Sequence, residues 1–410
     1  MAEIARSSPT QEEVDRLCLQ HARALTGQAG QRANFDNESL CGLSFCNRDL
    51  REASFKDADL SDCDLSGANL EFADLSGAVL RNAKLIGATL DKADLRGCDM
   101  SGADLSASQC QNADFRELAR LPSIGSEDRT TSVKSTRLDG AQLGGVNLSY
   151  ARLAGVEAQD ANFSDANFNN SRLMRAKLRN AVMHDAILTG TDFSGADLTD
   201  ADLRGALERD VKLQQAITSG LLTGERPEAA PEDGAIAPDD DPRPLSSKLR
   251  DHERLCRSGG KEGAPASFNG MDIREAGSLA DRDLTAMQAM GANFSGLDMR
   301  GAALQGARLS GADLRGCDLR GADLRGADLR KARLTHADLR GANLDAITLS
   351  AGRVLPVNLA EADCRYVQMD EVDLSTASAA GADFSYARLS DTQAAAKGLA
   401  EAMTERAIRR

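Results

Sequence analysis

The sequence predicts an all-β repeat solenoid, and two observations carry that class. The first is composition: 410 residues hold 41% hydrophobic residues but only 3% aromatic ones, with no Trp. That apolar content is too high for a disordered chain. An ordinary globular core leans on bulky aromatics, so what remains is a core of many small, similar side chains, as in repeat architectures. The second observation is a period of five. From Phe35 to Phe115 every fifth residue is apolar, and two further runs, Leu138 to Leu203 and Leu279 to Leu389, keep the same spacing.

The physics of one repeat follows from its five positions. In Ala322-Asp323-Leu324-Arg325-Gly326, residues two apart on an extended segment share a face. Ala322 and Leu324 therefore point inward and Asp323 points out. Arg325 and Gly326 then turn the chain, and Gly tolerates the dihedrals of such a corner. Neither 3.6 nor 2 fits the spacing, so the pattern is neither an amphipathic helix nor an ordinary strand. A narrow coil with one small and one medium side chain per side explains the missing Trp. Of the 11 Phe, only Phe72 falls outside a centre position.

This A-(D/N)-L-x-x pattern resembles the bacterial pentapeptide-repeat family over about two thirds of the chain. The resemblance implies a right-handed quadrilateral β-helix with four repeats per coil, so residues twenty apart stack on one face.

The elements follow in order. Residues 1–34 read as a helical N-terminal cap, because Leu17 to Leu25 suits a short helix before Gly27, Gly30 and the first repeat at Ala33-Asn34-Phe35. Residues 35–219 form the first β-helix. The phase breaks between Phe115 and Leu138, which places a loop at 116–130. The pattern then decays, with Glu208 and Thr218 at centre positions. Residues 220–244 hold five of the nine Pro and seven acids against two Arg, and read as an acidic linker. Residues 245–267 repeat the opening theme of helix, glycines (Gly260, Gly263) and Ala266-Ser267-Phe268, and read as a second cap. A solenoid end needs one, since its last coil exposes apolar area and unpaired edges. Residues 268–390 form the second β-helix. In 391–410, Ala395, Leu399, Met403 and Ala407 lie at helical spacing, which predicts a C-terminal helix that caps the last coil or pairs two copies into a homodimer.

Stacking by twenty converts sequence into surface. Arg300, Arg320 and Arg340 fall in one column beside Asp298, Asp318 and Asp338. Three stacked Arg suggest a phosphate-binding stripe, which the Asp column largely neutralises. All three Tyr (Tyr150, Tyr366, Tyr386) fall two residues after a centre, at a corner. Tyr366 and Tyr386 are twenty apart and should stack, either stabilising adjacent coils or anchoring a protein partner. His21 and His252 are read as helix residues packing on the first coil of each β-helix.

Chemistry is hard to find. The four His lie far apart, the nine Cys lack CxxC spacing, and no nucleophile elbow, zinc helix or phosphate loop is present. The expectation is no enzyme, no metal and no cofactor. A net charge of −14 argues against direct nucleic-acid binding. No apolar run suits a membrane, no secretory leader is visible, and the unpaired Cys count fits the reducing cytoplasm. The reading is a protein–protein interaction scaffold or adaptor whose protein partner is unknown. The family resemblance also implies two alternatives, a DNA mimic that binds a type II topoisomerase and an adaptor associated with a contractile secretion system; a passive structural spacer is a third.

Overall fold

In the computed structural model each pentapeptide is a short extended bridge followed by a two-residue turn. The structure describes residues 8–120, 132–224, 243–264, 266–348, 354–370, 372–390, 399–404 and 407–409. The chain divides into two compact units, Met1–Pro227 and Glu228–Arg410.

In unit 1 the bridges run parallel from Asn34↔Ser54 to Asp202↔Leu222, almost all joining residues twenty apart. Four pentapeptides therefore close each coil, giving four faces. The ladder is regular: the Leu40 N–H donates to the Asp59 carbonyl (2.7 Å) and the Asp59 N–H donates back to the Glu38 carbonyl (2.9 Å). Inside, Ala68, Leu70, Ala73 and Leu75 are fully buried. Each such Leu contributes about 1.5–3 kcal/mol as an upper bound. Near the first coil Phe35 stacks on Phe55 (4.9 Å, 16°), with Phe45 edge-on to both. The second turn residue holds φ near +60°. Asn47 (φ 56) and Gly67 (φ 66) show why Asn, Asp and Gly dominate there.

Helix α1 (Gln11–Leu25) covers the start of this unit. Thr10 and Glu13 form a capping box, and Val14, Cys18 and His21 are buried. Gln11 does more: its amide donates to the Ser44 carbonyl (2.9 Å) and accepts the Ser44 N–H (2.8 Å). One side chain thus satisfies an edge that has no preceding coil.

The loop expected at 116–130 departs as strand β1 (Leu118–Arg120), antiparallel to β2 (Ser132–Lys134). The excursion therefore runs past 130, and 121–131 lie outside the described residues. It leans back onto the preceding coils. Lys134 Nζ donates to the Gly77 carbonyl (2.5 Å), and a Cβ at Gly97 would fall 2.6 Å from Leu118 Cβ. Buried Thr136 fixes the base, its hydroxyl accepting the Gly97 N–H (2.8 Å) and lying 3.0 Å from the Arg116 carbonyl.

The first β-helix does not stop at 219, as its sequence suggested. Leu203 N–H donates to the Leu222 carbonyl and Gly205 N–H to the Gly224 carbonyl, both at 2.8 Å. Backbone pairing does not require an apolar centre, so the coil continues through 220–224. The linker assigned to 220–244 is shortened accordingly, and 225–242 lie outside the described residues.

Unit 2 opens with α2 (Leu245–Arg257), which buries Lys248, Leu249 and His252. Its bridges run from Ser267↔Gln288 onward; the first two span twenty-one residues because a short 3₁₀ turn (Arg274–Ala276) adds one. A second hairpin, unforeseen in the sequence, interrupts this unit: β3 (Ile347–Thr348) pairs antiparallel with β4 (Val354–Leu355). Asp328 accordingly bridges Asn358. This insertion spans ten residues, two whole repeats, so it leaves the period intact. Val354 looked like a centre and is instead 58% exposed.

The C-terminal helix expected over 391–410 is corrected by the structure at the described residues 399–404 and 407–409. Residues 391–398 lie outside the described ones. Beyond them Met403 bridges Asp383, and β6 (Ile408–Arg409) pairs in parallel with β5 (Arg388–Leu389). The tail keeps the twenty-residue register because the edge of the previous coil offers it hydrogen bonds. Leu399 is buried, while Met403, which a helix would have turned inward, is exposed.

Candidate interaction surfaces

The outer faces are built from residues on either side of each centre. The commonest unit is Asp-x-Arg. Asp298 accepts the Arg300 N–H (3.2 Å), Nε (2.8 Å) and Nη2 (2.7 Å). Asp318 with Arg320 and Asp338 with Arg340 repeat that geometry. The column is also tied between coils, with Arg300 Nε 3.6 Å from Asp318 and Arg320 Nε 3.6 Å from Asp338. The partner carboxylates push all three guanidinium pKa values up, and hydrogen bonding to Arg300 pulls Asp298 below the usual carboxylate range. Each planar fork is already filled by a bidentate carboxylate, so this column is a salt ladder and not an open anion stripe.

The three tyrosines occupy two places. In unit 2 Tyr366 and Tyr386 stack at 5.3 Å with planes 6° apart. The stack has a third member that the sequence did not reveal: His336 lies 5.0 Å from Tyr366 at 12°. It is thirty residues away because the ten-residue hairpin intervenes. Tyr150 stands in unit 1, 58% exposed.

Tyr150 has an unexpected companion. Asn69, Thr89, Gln109 and Asn147 bridge in succession. Three residues past each lie Phe72, Lys92, Asn112 and Tyr150, which therefore share one corner. Phe72 is 51% exposed, with Lys92 Nζ 4.5 Å above its ring. The ladder leading to this corner carries Thr89, Gln109, Asn147, Asn167 and Ile187, with no charge among them, and all but Gln109 are buried. Asn147 donates to Gln109 (3.1 Å) and accepts from Ser149 (2.8 Å). The neighbouring face is different: Asp74, Asp94 and Asp114 bridge in succession there, with Lys56, Arg96 and Arg116 as partners.

Strain marks these aromatic positions. Phe72, Tyr150, His336, Tyr366 and Tyr386 all hold φ between 59 and 62, where a bulky side chain costs about 1–2 kcal/mol. Most other corners place Gly, Asn or Asp there.

The interior offers inert thiols. All nine Cys are free; burial pushes Cys63 and Cys110 up to about 12. Among the described residues no cluster of His, Cys, Asp and Glu is placed to hold a metal ion, and no helix is long and apolar enough to cross a membrane.

Comparison with known proteins adds a family. The profile described as pentapeptide repeats matches in eight copies, over residues 31–67, 63–102, 83–117, 136–173, 175–205, 289–321, 307–345 and 358–392, more than half of the chain. Among solved structures, the chain is similar to HetL, a pentapeptide repeat protein involved in heterocyst differentiation regulation from the cyanobacterium Nostoc sp. strain PCC 7120. The two are 25% identical over 53% of this chain and 97% of HetL, with a TM-score of 0.25. Full-length QnrB1, a plasmid-mediated fluoroquinolone resistance protein, is 21% identical over 45% of this chain and 91% of its own, with a TM-score of 0.26. Rfr23 from the cyanobacterium Cyanothece 51142 is 22% identical over 30% and 90%, with a TM-score of 0.18. No curated protein matches the chain.

Proposed function

This chain belongs to the pentapeptide-repeat family, whose fold is a right-handed β-helix, and from that premise we propose that it is a non-enzymatic protein–protein interaction scaffold. One observation carries the reading. Unit 1 exposes two aromatic side chains, Phe72 and Tyr150, along one corner on strained backbone. Exposed aromatic side chains gathered on one edge are the residue types that anchor protein interfaces. The interior is filled, so variation among coils is confined to the outside, where partners bind.

A photocrosslinking residue at position 150 tests this in cells, with the same residue at Asn180 on another corner as control. The reading expects discrete protein adducts from position 150 that vanish when Phe72 is also changed to Arg. Equal or absent adducts at both positions would count against it.

A second reading is imitation of DNA toward a type II topoisomerase. The successive Asp74, Asp94 and Asp114 favour it, and residues 35–115 hold fifteen acids against seven bases. The scaffold is preferred because Lys56, Arg96 and Arg116 pair with that column. Supercoiling by purified gyrase that is unaffected by micromolar protein would remove the second reading.

A further inference from the structure

Both units begin with the same device. A helix carries one buried histidine: His21 is fully buried and His252 is 4% exposed. A glycine then presses against the helix backbone. A Cβ on Gly30 would collide with the Gln20 carbonyl and the Ala24 nitrogen, and one on Gly263 with the Asp251 carbonyl and the Leu255 nitrogen. In each case these are the residues one before and three after the histidine. The chain then enters its first coil at Ala33 or Ala266.

The imidazoles are held neutral by what surrounds them. His21 Nδ1 accepts the Ala33 N–H at 3.0 Å, so its proton sits on Nε2. A second proton on Nδ1 would face a donor. His252 Nε2 lies 3.1 Å from the Thr285 carbonyl, which can only accept, so the proton is on that nitrogen. Among the described residues no hydrogen-bond partner meets His252 Nδ1, and its protonation would bury an unpaired N–H. The ring also meets Phe268 edge-on at 6.0 Å and Cys256 Sγ at 3.5 Å.

We propose that the two helical caps are acid-released latches, in which protonation of His21 and His252 lifts α1 and α2 from their first coils. Lifting the caps would expose Ala33 and Phe35 in one unit and Phe268 in the other, together with the strand edge that Gln11 covers at Ser44.

The charges around each ring set the sign. For His21, burial lowers the pKa most; the Arg51 backbone raises it, Arg32 lowers it, and Asp49 and Glu52 raise it, for a net lowering. For His252, burial again dominates, against the Thr285 and Leu284 backbone, Asp283 and Glu253, and the net direction is down. Cys18, on the helix beside His21, stays a neutral thiol, pushed up to about 11 by burial. A histidine whose folded pKa is lowered loses stabilisation as pH falls below its unfolded value of 6.5, until the folded pKa is passed. Closure of each cap should weaken by up to about tenfold per pH unit in that window. The ion pairs Asp15–Arg48 (2.8 Å) and Arg282–Glu253 (3.7 Å) tie the helices to their coils, and Arg243–Asp251 (2.8 Å) braces α2 on the residues before it; these pairs supply the controls.

Hydrogen exchange of the full chain at pH 7.5, 6 and 5, corrected for intrinsic rates, tests the latch. Peptides covering 11–25 and 245–257 should lose protection on acidification while 35–115 keeps it. His21→Asn and His252→Gln replace each ring with an uncharged amide and should flatten the profile of the cap they occupy only. Asp15→Asn and Asp251→Asn should lower protection at every pH and keep the acid dependence. Caps that stay protected to pH 5, or histidine variants whose profile matches the parent, would overturn the proposal. So would acid dependence that disappears in the aspartate variants. If an amide variant fails to close its cap at pH 7.5, carbon-detected NMR titration of His21 and His252 in the parent decides: values below 6.5 support the latch, and values at or above it reject it.

Discussion

The ring of Tyr366 lies parallel to that of Tyr386, centroids 5.3 Å apart, while both residues hold left-handed backbone at φ 61 and 62. Stacking and strain oppose each other at this corner. Relief of about 1–2 kcal/mol is available to a Gly at either position, against about 0.5–1 kcal/mol of extra chain entropy. Tyr366 also touches His336, so Tyr366→Gly loses two stacked contacts of about 0.5–1.5 kcal/mol each. Tyr150→Gly, at φ 61 on an exposed corner, should be neutral or stabilising. Urea melts should therefore place Tyr366→Gly about 1–3 kcal/mol below Tyr150→Gly; equal midpoints would show that the stack contributes nothing.

The hairpin in unit 1 rests on a glycine. Gly97→Ala combines left-handed strain with a Cβ 2.6 Å from Leu118 Cβ, whereas Gly140→Ala at φ 64 meets nothing within 4 Å. The control should cost about 1–2 kcal/mol, and Gly97→Ala about 1–3 kcal/mol more from overpacking. Exchange protection at Leu118–Arg120 should fall in Gly97→Ala and persist in the control.

Acid should act on the coils later than on the caps. Hydrogen bonding to Arg204 and to Arg300 pulls Asp202 and Asp298 below the ordinary carboxylate value of 3.8. Such groups stabilise above that value, and the contribution is lost as pH falls through the lowered folded pKa. Exchange protection of the coil peptides, corrected for intrinsic rates, should hold steady down to about pH 4 and fall only below it. Because the partners are substantially exposed, Asp298→Asn should cost well under about 1 kcal/mol at pH 7.

The thiols should separate by position. Cys41 is exposed, whereas Cys63, Cys98, Cys110, Cys317 and Cys364 are buried, and burial raises the pKa of all five buried thiols. Alkylation at pH 7.5 followed by mass spectrometry should modify Cys41 within minutes and spare those five until denaturant is added.

The α1 cap provides the simplest test of end-shielding. Thr10→Ala removes half of the capping box and should cost about 1 kcal/mol. Gln11→Ala uncovers Ser44 and should raise exchange at Ser44 without affecting Asp64, one coil further in.

The interior was legible because it repeats: Leu70 and Ala73 are dictated by a narrow coil, whatever faces outward. What escaped did so for identifiable reasons. The first hairpin showed itself by shifting the phase between Phe115 and Leu138, although its strands did not. The second was silent, since ten residues are two repeats and Val354 falls where a centre is due. The same insertion hid His336, which stacks on Tyr366 across thirty positions. Met403 fitted a helical spacing that tertiary pairing overrode, because Asp383 already presented a strand edge. The Phe72–Tyr150 corner was hidden by the 38 residues separating Gln109 from Asn147.

The two hairpins carry a consequence for how such a chain can change. One inserts a number of residues that breaks the fivefold count, the other a number that preserves it, and the ladder resumes equally well after both, at Arg137 and at Asn358. Phase is thus a property of each corner and not of the chain. Register passes from one coil to the next through the hydrogen-bonding edge, so an indel is absorbed where its two ends can meet at one turn. Such a molecule tolerates grafted segments at its corners, while substitutions at its centres remain confined to a few small and medium side chains.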